Sequence, residues 1–453
     1  MNANSSAAQV QVVPGGRVCG RIRPPGSKSL TNRALICAAF ADGPSTLTGA
    51  LRSEDTEVMI EAVRQLGVCV DVADGGRELK VSGRATDPLS AAKKDEQQDS
   101  PRRLFIANSG TTIRFLTAAL SAFGGEYQLH GVPRMHERPI ADLIDALQPI
   151  QRGSIRALSP NGCPPVEIQS TGWSSENISV GGAVSSQYLS GLMMAAPIAQ
   201  QKRDIRVLGE LVSRPYVDMT ARVIESFGAT VQITAADLPA DVSVVVRISG
   251  DGYRGVDYAI EPDASAASYF WAAAAITGGE VTVEGLTPDA MQGDVGFCNV
   301  LKQMGCQLRV ENDSMTIVGD RLRGVDVDMN SISDTVQTLA VVALFAEGPT
   351  RVRGVAHNRF KETDRIGDLA CELRKLGAKV QEFEDGLEIT PPENGLKGAT
   401  LETYHDHRMA MSLSLAGLAS DGVRILDPAC TGKTYPDFFA DLERLTGRAH
   451  VWG

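Results

Sequence analysis

The sequence predicts an α/β protein made of two similar domains, each of three repeats. Two observations carry that prediction. A short polar cluster that runs into an apolar, Ala-rich stretch recurs six times, at Gly26-Ser27-Lys28-Ser29, Asn108-Ser109-Gly110-Thr111, Ser185-Ser186-Gln187, Asp263-Ala264-Ser265, Ser333-Asp334-Thr335 and Asp406-His407-Arg408. The spacing of roughly 70–80 residues exceeds that of short-period solenoids and suits a small α/β module. Behind each cluster lies a second apolar pattern at i, i+3, i+4 and i+7. It runs through Met59-Ala62-Val63-Leu66, Ile140-Leu143-Ile144-Leu147, Thr220-Val223-Ile224-Phe227, Phe297-Val300-Leu301-Met304, Ile366-Leu369-Ala370-Leu373 and Tyr435-Phe438-Phe439-Leu442.

Each element has a local cause. Ser, Asp, Asn and Gly before an apolar run are helix N-cap signals, so the six clusters open six first helices. The second pattern is one buried stripe of an amphipathic helix. Most of these second helices end in Leu-Gly, Met-Gly or Phe-Gly, a C-cap signal. β-Branched runs follow, such as Val68–Val72, Ala229–Ile233 and Ala378–Phe383. The unit therefore reads strand, helix, strand, helix, strand. The third unit ends near Arg247 and the fourth begins near Ile260, with a second crossing near Arg23–Gly26. This divides the chain into 27–255 and 1–26 plus 256–453. Asp87–Ser100 is polar and reads as an exposed insertion, while Pro149–Pro165 fits no element of the repeat.

Composition narrows the function. The net charge of −11 argues against general nucleic-acid binding and leaves room for a locally positive site. No apolar run approaches the roughly 20 residues of a membrane span. Met1–Gln11 has neither a basic start nor an apolar core. It reads as a frayed tail on a cytoplasmic protein. The eight cysteines form no Cys-x-x-Cys and no zinc spacing, so they read as buried, reduced thiols.

Two familiar motifs fail. Gly250-x-Gly252-x-x-Gly255 has dinucleotide spacing, but Val256–Ile260 after it looks extended rather than helical. Gly432-Lys433-Thr434 resembles the end of a phosphate loop, but Asp427 stands where its first Gly belongs.

A helix N-terminus offers unpaired N–H groups and partial positive charge. Six of them, several bearing Lys or Arg, point to small, highly charged anions. Pro24–Arg33 is the strongest segment: Gly26 permits close approach, Ser27 or Ser29 can cap, and Lys28 and Arg33 bring charge to the helix start. Asn108–Arg114 repeats the logic, and Arg138 precedes a second helix. Lys361-Glu362-Thr363-Asp364-Arg365 packs two cations and two carboxylates into five residues. It fits an exposed ion-pair cluster, with Asp364 capping or pairing with Arg365, or a general acid/base. Asp334 fits an N-cap or a base for a bound hydroxyl. His407-Arg408 and Lys433 add positive charge, and His405 reads as structural.

Taken together, PGSKSLTNRAL, ANSGTTIRFL, RMHERPI, SSQYLSGL, SRPYVDMT, DASAASYF, RFKETDRI, DHRMAM and CTGKTYPDFF resemble the motifs of the 5-enolpyruvylshikimate-3-phosphate synthase family of enolpyruvyl transferases, in order, from about Val18 to Leu445. The resemblance implies an inside-out α/β barrel type of fold, with two domains of three βαβαββ units and substrates bound between them. It implies transfer of the enolpyruvyl group of phosphoenolpyruvate to the 5-hydroxyl of shikimate 3-phosphate, with loss of phosphate, through a tetrahedral intermediate. It implies no metal or organic cofactor, no nucleic-acid or membrane partner, and a monomer.

By motif, Lys28, Ser29, Arg33, Ser185, Ser186, Gln187, Ser213, Asp334, His357 and Lys361 are implied to hold shikimate 3-phosphate. Lys28, Gly110, Arg138, Gln187, Arg365, Arg408 and Lys433 are implied to hold phosphoenolpyruvate. Asp334 is implied to deprotonate the hydroxyl, Glu362 to protonate the methylene carbon, and Lys28 to touch both ligands. Phe115 stands where many relatives have Pro. The sister enzyme acting on a UDP-amino sugar typically carries a Cys in a mobile loop of its first domain, and Arg134–Arg138 has none. A non-catalytic anion binder would need neither Asp334 nor Glu362.

Overall fold

One topology is used six times. The computed structural model describes residues 7–83, 101–182, 185–236 and 238–453; the expected insertion at 87–100 lies outside them. The chain forms two units, Gly26–Ile260 and Met1–Pro25 with Glu261–Gly453.

In the unit Gly26–Ile260, α1 (Lys28–Ala39) and α2 (Glu54–Gln65) go with the sheet Asp257–Ala259, Ser45–Thr48, Glu78–Val81 and Val70–Ala73. Helices α3 (Gly110–Phe123) and α4 (Ala141–Leu147) go with Arg102–Phe105, Gly125–His130, Val166–Trp173 and Gln151–Ala157. Helices α5 (Ser186–Ile198) and α6 (Pro215–Ser226) go with Asn177–Gly181, Arg203–Leu208, Val242–Ile248 and Val231–Thr234. In every sheet, given in spatial order, the first two strands are parallel and the other pairings antiparallel. A parallel pair needs a crossover. The first helix supplies it where the two strands follow one another in the chain, as α3 does between Arg102–Phe105 and Gly125–His130, whereas Asp257–Ala259 and Cys19–Ile22 pair with strands more than 200 residues away.

The other unit repeats the pattern with α7 (Ala264–Thr277), α8 (Phe297–Gln303), α9 (Val336–Ala343), α10 (Gly367–Lys375), α11 (His407–Ser414) and α12 (Phe438–Thr446). Its sheets are Cys19–Ile22 with Glu280–Glu284, Ser314–Val318 and Gln307–Glu311; Asp326–Asp328 with Thr350–Arg353, Gly386–Thr390 and Lys379–Phe383; and Thr400–Leu401 with Arg424–Leu426, Gln9–Gln11 and Val451–Trp452. Strand directions follow the same rule.

The first helices are the cores. α7 is buried from Ala264 to Ala275, and α3 from Gly110 to Ala122. A helix apolar all round must lie inside, and small residues let such helices meet closely. A Cβ on Gly191 of α5 would fall 3.0 Å from the Arg114 carbonyl oxygen of α3. The second helices bury one stripe only, as with Val217, Thr220, Val223 and Ile224 of α6.

Several expectations need correction. The unit read from the residues lacked its last strand. Pro149–Pro165, which fits no element of the repeat by sequence, contains Gln151–Ala157, which forms a hairpin with Val166–Trp173. Gln9–Gln11 is no frayed tail: it is an inner strand pairing with Arg424–Leu426 and Val451–Trp452, with Val10 wholly buried. The boundary expected at 255/256 falls after Ile260, because Asp257–Ala259 pairs in parallel with Thr46–Thr48. At the other crossing it falls before Gly26, where a Cβ would sit 1.8 Å from the Gly49 carbonyl oxygen. Cys19, Cys69 and Cys371 are exposed thiols, contrary to the expectation of burial. Gly250 and Gly255 press against backbone at Gln201 and Pro44, so the dinucleotide-like spacing is a turn.

Candidate active site

In the unit Gly26–Ile260 the first helices bring their N-terminal ends into a cationic set. Ser27 caps α1, its hydroxyl accepting from Leu30 N at 3.4 Å. Lys28 follows and pairs with the buried Asp55 of α2 at 3.2 Å. Ser29 is half-buried, and its carbonyl accepts from Arg33 Nη1 at 2.9 Å. Arg33 itself is buried. Its Nε donates to Thr220 Oγ1 at 2.7 Å, and its Nη2 to Ser190 Oγ and the Tyr216 carbonyl at 3.3 and 3.4 Å. The guanidinium stands over the Phe115 ring at 5.1 Å. Burial lowers its pKa to about 10, which leaves it charged at neutral pH.

Two more arginines crowd the start of α3. Arg114 Nη1 donates to the Gly110 carbonyl at 3.1 Å and to Gln187 Oε1 at 2.9 Å. Arg138 Nη1 donates to the Asn108 carbonyl at 3.0 Å. Both are buried. A Cβ on Gly110 would lie 2.6 Å from Arg138 Nη2 and 2.7 Å from Arg114 Nη1, so any side chain here would push both guanidinium groups aside. Two guanidinium groups against the positive end of a helix repel each other and the helix dipole, an arrangement that an anion relieves. Ser185 caps α5 through Gln187 N at 3.2 Å, with Ser186 buried at its first position. Ser213 is buried at φ +53°, a left-handed conformation costing on the order of 1 kcal/mol.

The other unit holds an alternating ionic network. Arg365, buried on all sides, reaches three carboxylates. Its Nε and Nη2 donate to Asp406 Oδ2 and Oδ1 at 2.7 and 3.2 Å, its Nη2 to Glu362 Oε2 at 2.8 Å, and its Nη1 to Asp334 Oδ1 at 3.4 Å. Burial works to lower the Arg365 pKa, but the carboxylates, Asp406 foremost, hold it above its usual value. Arg408 Nη2 donates to Asp334 Oδ2 at 2.8 Å, and Lys433 Nζ lies 3.3 Å from Glu362 Oε1. Asp406 also caps α11 through Arg408 N at 2.8 Å.

This geometry resolves alternatives that the residues left open. Asp334 is no N-cap: it lies in the 3₁₀ segment Asn330–Thr335, and its carboxylate faces Arg365 and Arg408. Asp364 accepts from Ile366 N and Gly367 N at 3.0 Å each, and its ion partner is Arg359 rather than Arg365. The Lys361–Arg365 segment is no exposed ion-pair cluster, since the Glu362 side chain is 8% and that of Arg365 2% exposed. His405, by contrast, is open to solvent and meets Asp427 at 2.6 Å. His407 points inward and is buried.

Arg114, Asp55 and Asp406 are site residues that the motifs do not single out. Each supports a residue that they do: Arg114 holds Gln187, Asp55 holds Lys28, and Asp406 holds Arg365. The only advance signal was their place in the same polar clusters or the first turn of a helix.

His357 is buried, and burial, then Lys361, pushes its pKa down to about 3, with Asp334 opposing. The folded protein thus binds this proton less readily than the unfolded chain, whose histidine titrates near pH ~6.5. Its contribution to stability is complete above that value and is lost as pH falls toward 3. The melting temperature of a His357→Asn variant is expected to fall less steeply between neutral pH and pH ~4.5 than that of the parent protein. Parallel curves would remove His357 as a source of acid sensitivity.

Comparisons place this geometry among known proteins. The family model described as EPSP synthase (3-phosphoshikimate 1-carboxyvinyltransferase) matches residues 12–442. The chain is 45% identical over 426 residues to 3-phosphoshikimate 1-carboxyvinyltransferase of Trichormus variabilis, covering 94% of this chain and 96% of that one. The structure resembles EPSP synthase from Acinetobacter baumannii, with a TM-score of 0.77 at 27% identity over 98% of this chain and 99% of that one. An enolpyruvyl transferase from Streptomyces tendae shares the fold, with a TM-score of 0.73 at 20% identity over 98% and 99% of the two chains. No helix among the described residues is long and apolar enough to cross a membrane. With the family match spanning nearly the whole sequence and 45% of 426 aligned positions shared with a curated relative, the chain belongs to the EPSP synthase family.

Proposed function

We propose that the residues described above divide the family reaction between binding and proton transfer. The chain is a 3-phosphoshikimate 1-carboxyvinyltransferase, an enzyme of enolpyruvyl transfer in the shikimate pathway and aromatic amino-acid biosynthesis. Its substrates are the small molecules phosphoenolpyruvate and shikimate 3-phosphate. The network that joins Asp334 and Glu362 to one buried arginine is the observation that carries the assignment of roles.

In this reading Ser29, Ser185, Ser186, Ser213, His357 and Lys361 hold shikimate 3-phosphate, with Arg33 supplying positive potential from behind Ser29. Gly110, Arg138, Arg365, Arg408 and Lys433 hold phosphoenolpyruvate, and Lys28 and Gln187 touch both. Each substrate carries a phosphate and a carboxylate, which suit the forked geometry of arginine. Asp334 takes the proton of the 5-hydroxyl as its oxygen bonds to C2 of phosphoenolpyruvate. Glu362 delivers a proton to C3, turning the methylene into a methyl group. Elimination then removes a proton from that methyl and expels phosphate, which restores the double bond.

The network gives this sequence a physical logic. A phosphate dianion that draws Lys433 and Arg365 toward itself leaves Glu362 beside negative charge, the condition in which a carboxyl holds a proton. The cations gathered round the phosphate then stabilise the charge of the tetrahedral intermediate.

Phosphate release from phosphoenolpyruvate, followed with shikimate 3-phosphate and separately with UDP-N-acetylglucosamine, tests the substrate. Turnover with the first alone is expected; turnover with the second alone would overturn the assignment. Gly110→Ala is expected to displace the Arg114 and Arg138 guanidinium groups and raise the KM for phosphoenolpyruvate at least about tenfold. An unchanged KM would take the start of α3 out of the binding site.

A further inference from the structure

We propose that Tyr404 is a positioning residue for Arg365, acting through the turn that delivers Asp406. The inference rests on the reading of Arg365 and Arg408 as the anion-binding residues. Asp406 makes two hydrogen bonds to Arg365 and caps the helix that carries Arg408. Its placement therefore decides where both guanidinium groups point.

The two residues before Asp406 are in an unusual conformation. Tyr404 has φ +54° and His405 φ +56°, and neither is glycine. Consecutive left-handed residues persist only where their surroundings over-determine them. Three constraints do so here. The Asp406 N–H donates back to the Thr403 carbonyl at 2.9 Å. His405 meets Asp427, itself left-handed at φ +47°. The Tyr404 hydroxyl donates to Glu372 Oε1 at 2.7 Å.

Glu372 is the fixed end of this tether. Its side chain is wholly buried in α10, and Oε2 accepts from Glu402 N at 3.0 Å and pairs with Lys375 Nζ at 2.8 Å. α10 begins at Gly367, two residues after Arg365. One helix therefore fixes Arg365 at its start and, through Glu372 and Tyr404, the turn holding the partner of Arg365. Burial and the Glu372 carboxylate push the Tyr404 pKa up, so the hydroxyl stays a donor. Without it the turn can relax toward ordinary backbone angles and carry the Asp406 carboxylate away from Arg365.

Tyr404→Phe removes the tether and keeps the ring. The expected result is a rise of at least about tenfold in the KM for phosphoenolpyruvate, as fits a small misplacement of a binding group. The KM for shikimate 3-phosphate should stay near that of the parent, and the melting temperature should fall, because the buried Glu372 Oε1 loses its hydrogen bond. A residue that only stabilises the fold would lower the melting temperature and leave the KM of the folded enzyme alone, and that result would overturn the proposal. Glu372→Gln keeps an acceptor for the hydroxyl and should give a smaller rise in the same KM. It carries the test should Tyr404→Phe not fold, and an unchanged KM would then overturn the proposal. Arg408→Lys separates the two levels of inference. If it raises the KM for phosphoenolpyruvate while Tyr404→Phe does not, the tether is wrong and the site assignment stands. If both are silent, both fall.

Discussion

Glu362→Gln is expected to cut turnover at least about a hundredfold, the usual loss on removing a general acid, while the protein stays folded. Glutamine is isosteric, and its one carbonyl oxygen can still accept from either Arg365 or Lys433, which lie 2.8 and 3.3 Å from the two carboxylate oxygens. What it cannot do is give a proton to carbon. Substrate affinity should therefore change much less than kcat. Asp334→Ala is expected to lose a comparable factor by removing the base. That variant also strips Arg408 of its 2.8 Å partner, so Asp334→Asn is the cleaner comparison. Steady-state phosphate release at saturating substrates measures both. Near-normal kcat in the Gln variant would take Glu362 out of the mechanism.

Arg365→Leu is expected to damage stability and activity together. Its side chain is 2% exposed and neutralises Asp334, Glu362 and Asp406, the last of them wholly buried. Removing one partner of a buried pair costs about 3–5 kcal/mol, because the remaining charge is left uncompensated in a medium that solvates it poorly. For units of this size that corresponds to a drop in melting temperature on the order of 10 °C. The loss should shrink at low pH, where the abandoned carboxylates can take up protons. Arg365→Lys keeps the charge but cannot bind Asp406 in two places at once. It should recover much of the stability and little of the turnover. A Leu variant as stable as the parent would show that the network contributes nothing to folding.

The repeat was legible because its signals are local. Caps such as Ser27, Ser109, Ser185, Asp263 and Asp406 satisfy N–H groups two or three residues away. The stripes of the second helices need only a 3.6-residue period. What was lost has partners far away in the chain. Gln9–Gln11 has no β signature of its own, and its pairing with Arg424–Leu426 joins the two ends of the sequence. Asp257–Ala259 likewise completes a sheet begun at Ser45. Ile140 and Ile366 sit at the caps of α4 and α10, and Tyr435 precedes α12, so these three stripes begin just outside their helices.

The sequence alone determined the six repeats, the polar openings of their first helices and the residue types an anionic substrate pair requires. It also carried the motifs of the family. These depend on neighbours within a turn or two, where spacing and side-chain chemistry decide the outcome. Only the tertiary structure decided which charges meet. It turned Asp334 from a possible cap into a partner of two arginines, paired Asp364 with Arg359, and set Asp406 against Arg365 through a left-handed turn tied to Glu372. Electrostatic partnership depends on distance in space and on burial, and neither is fixed until distant segments fold against one another.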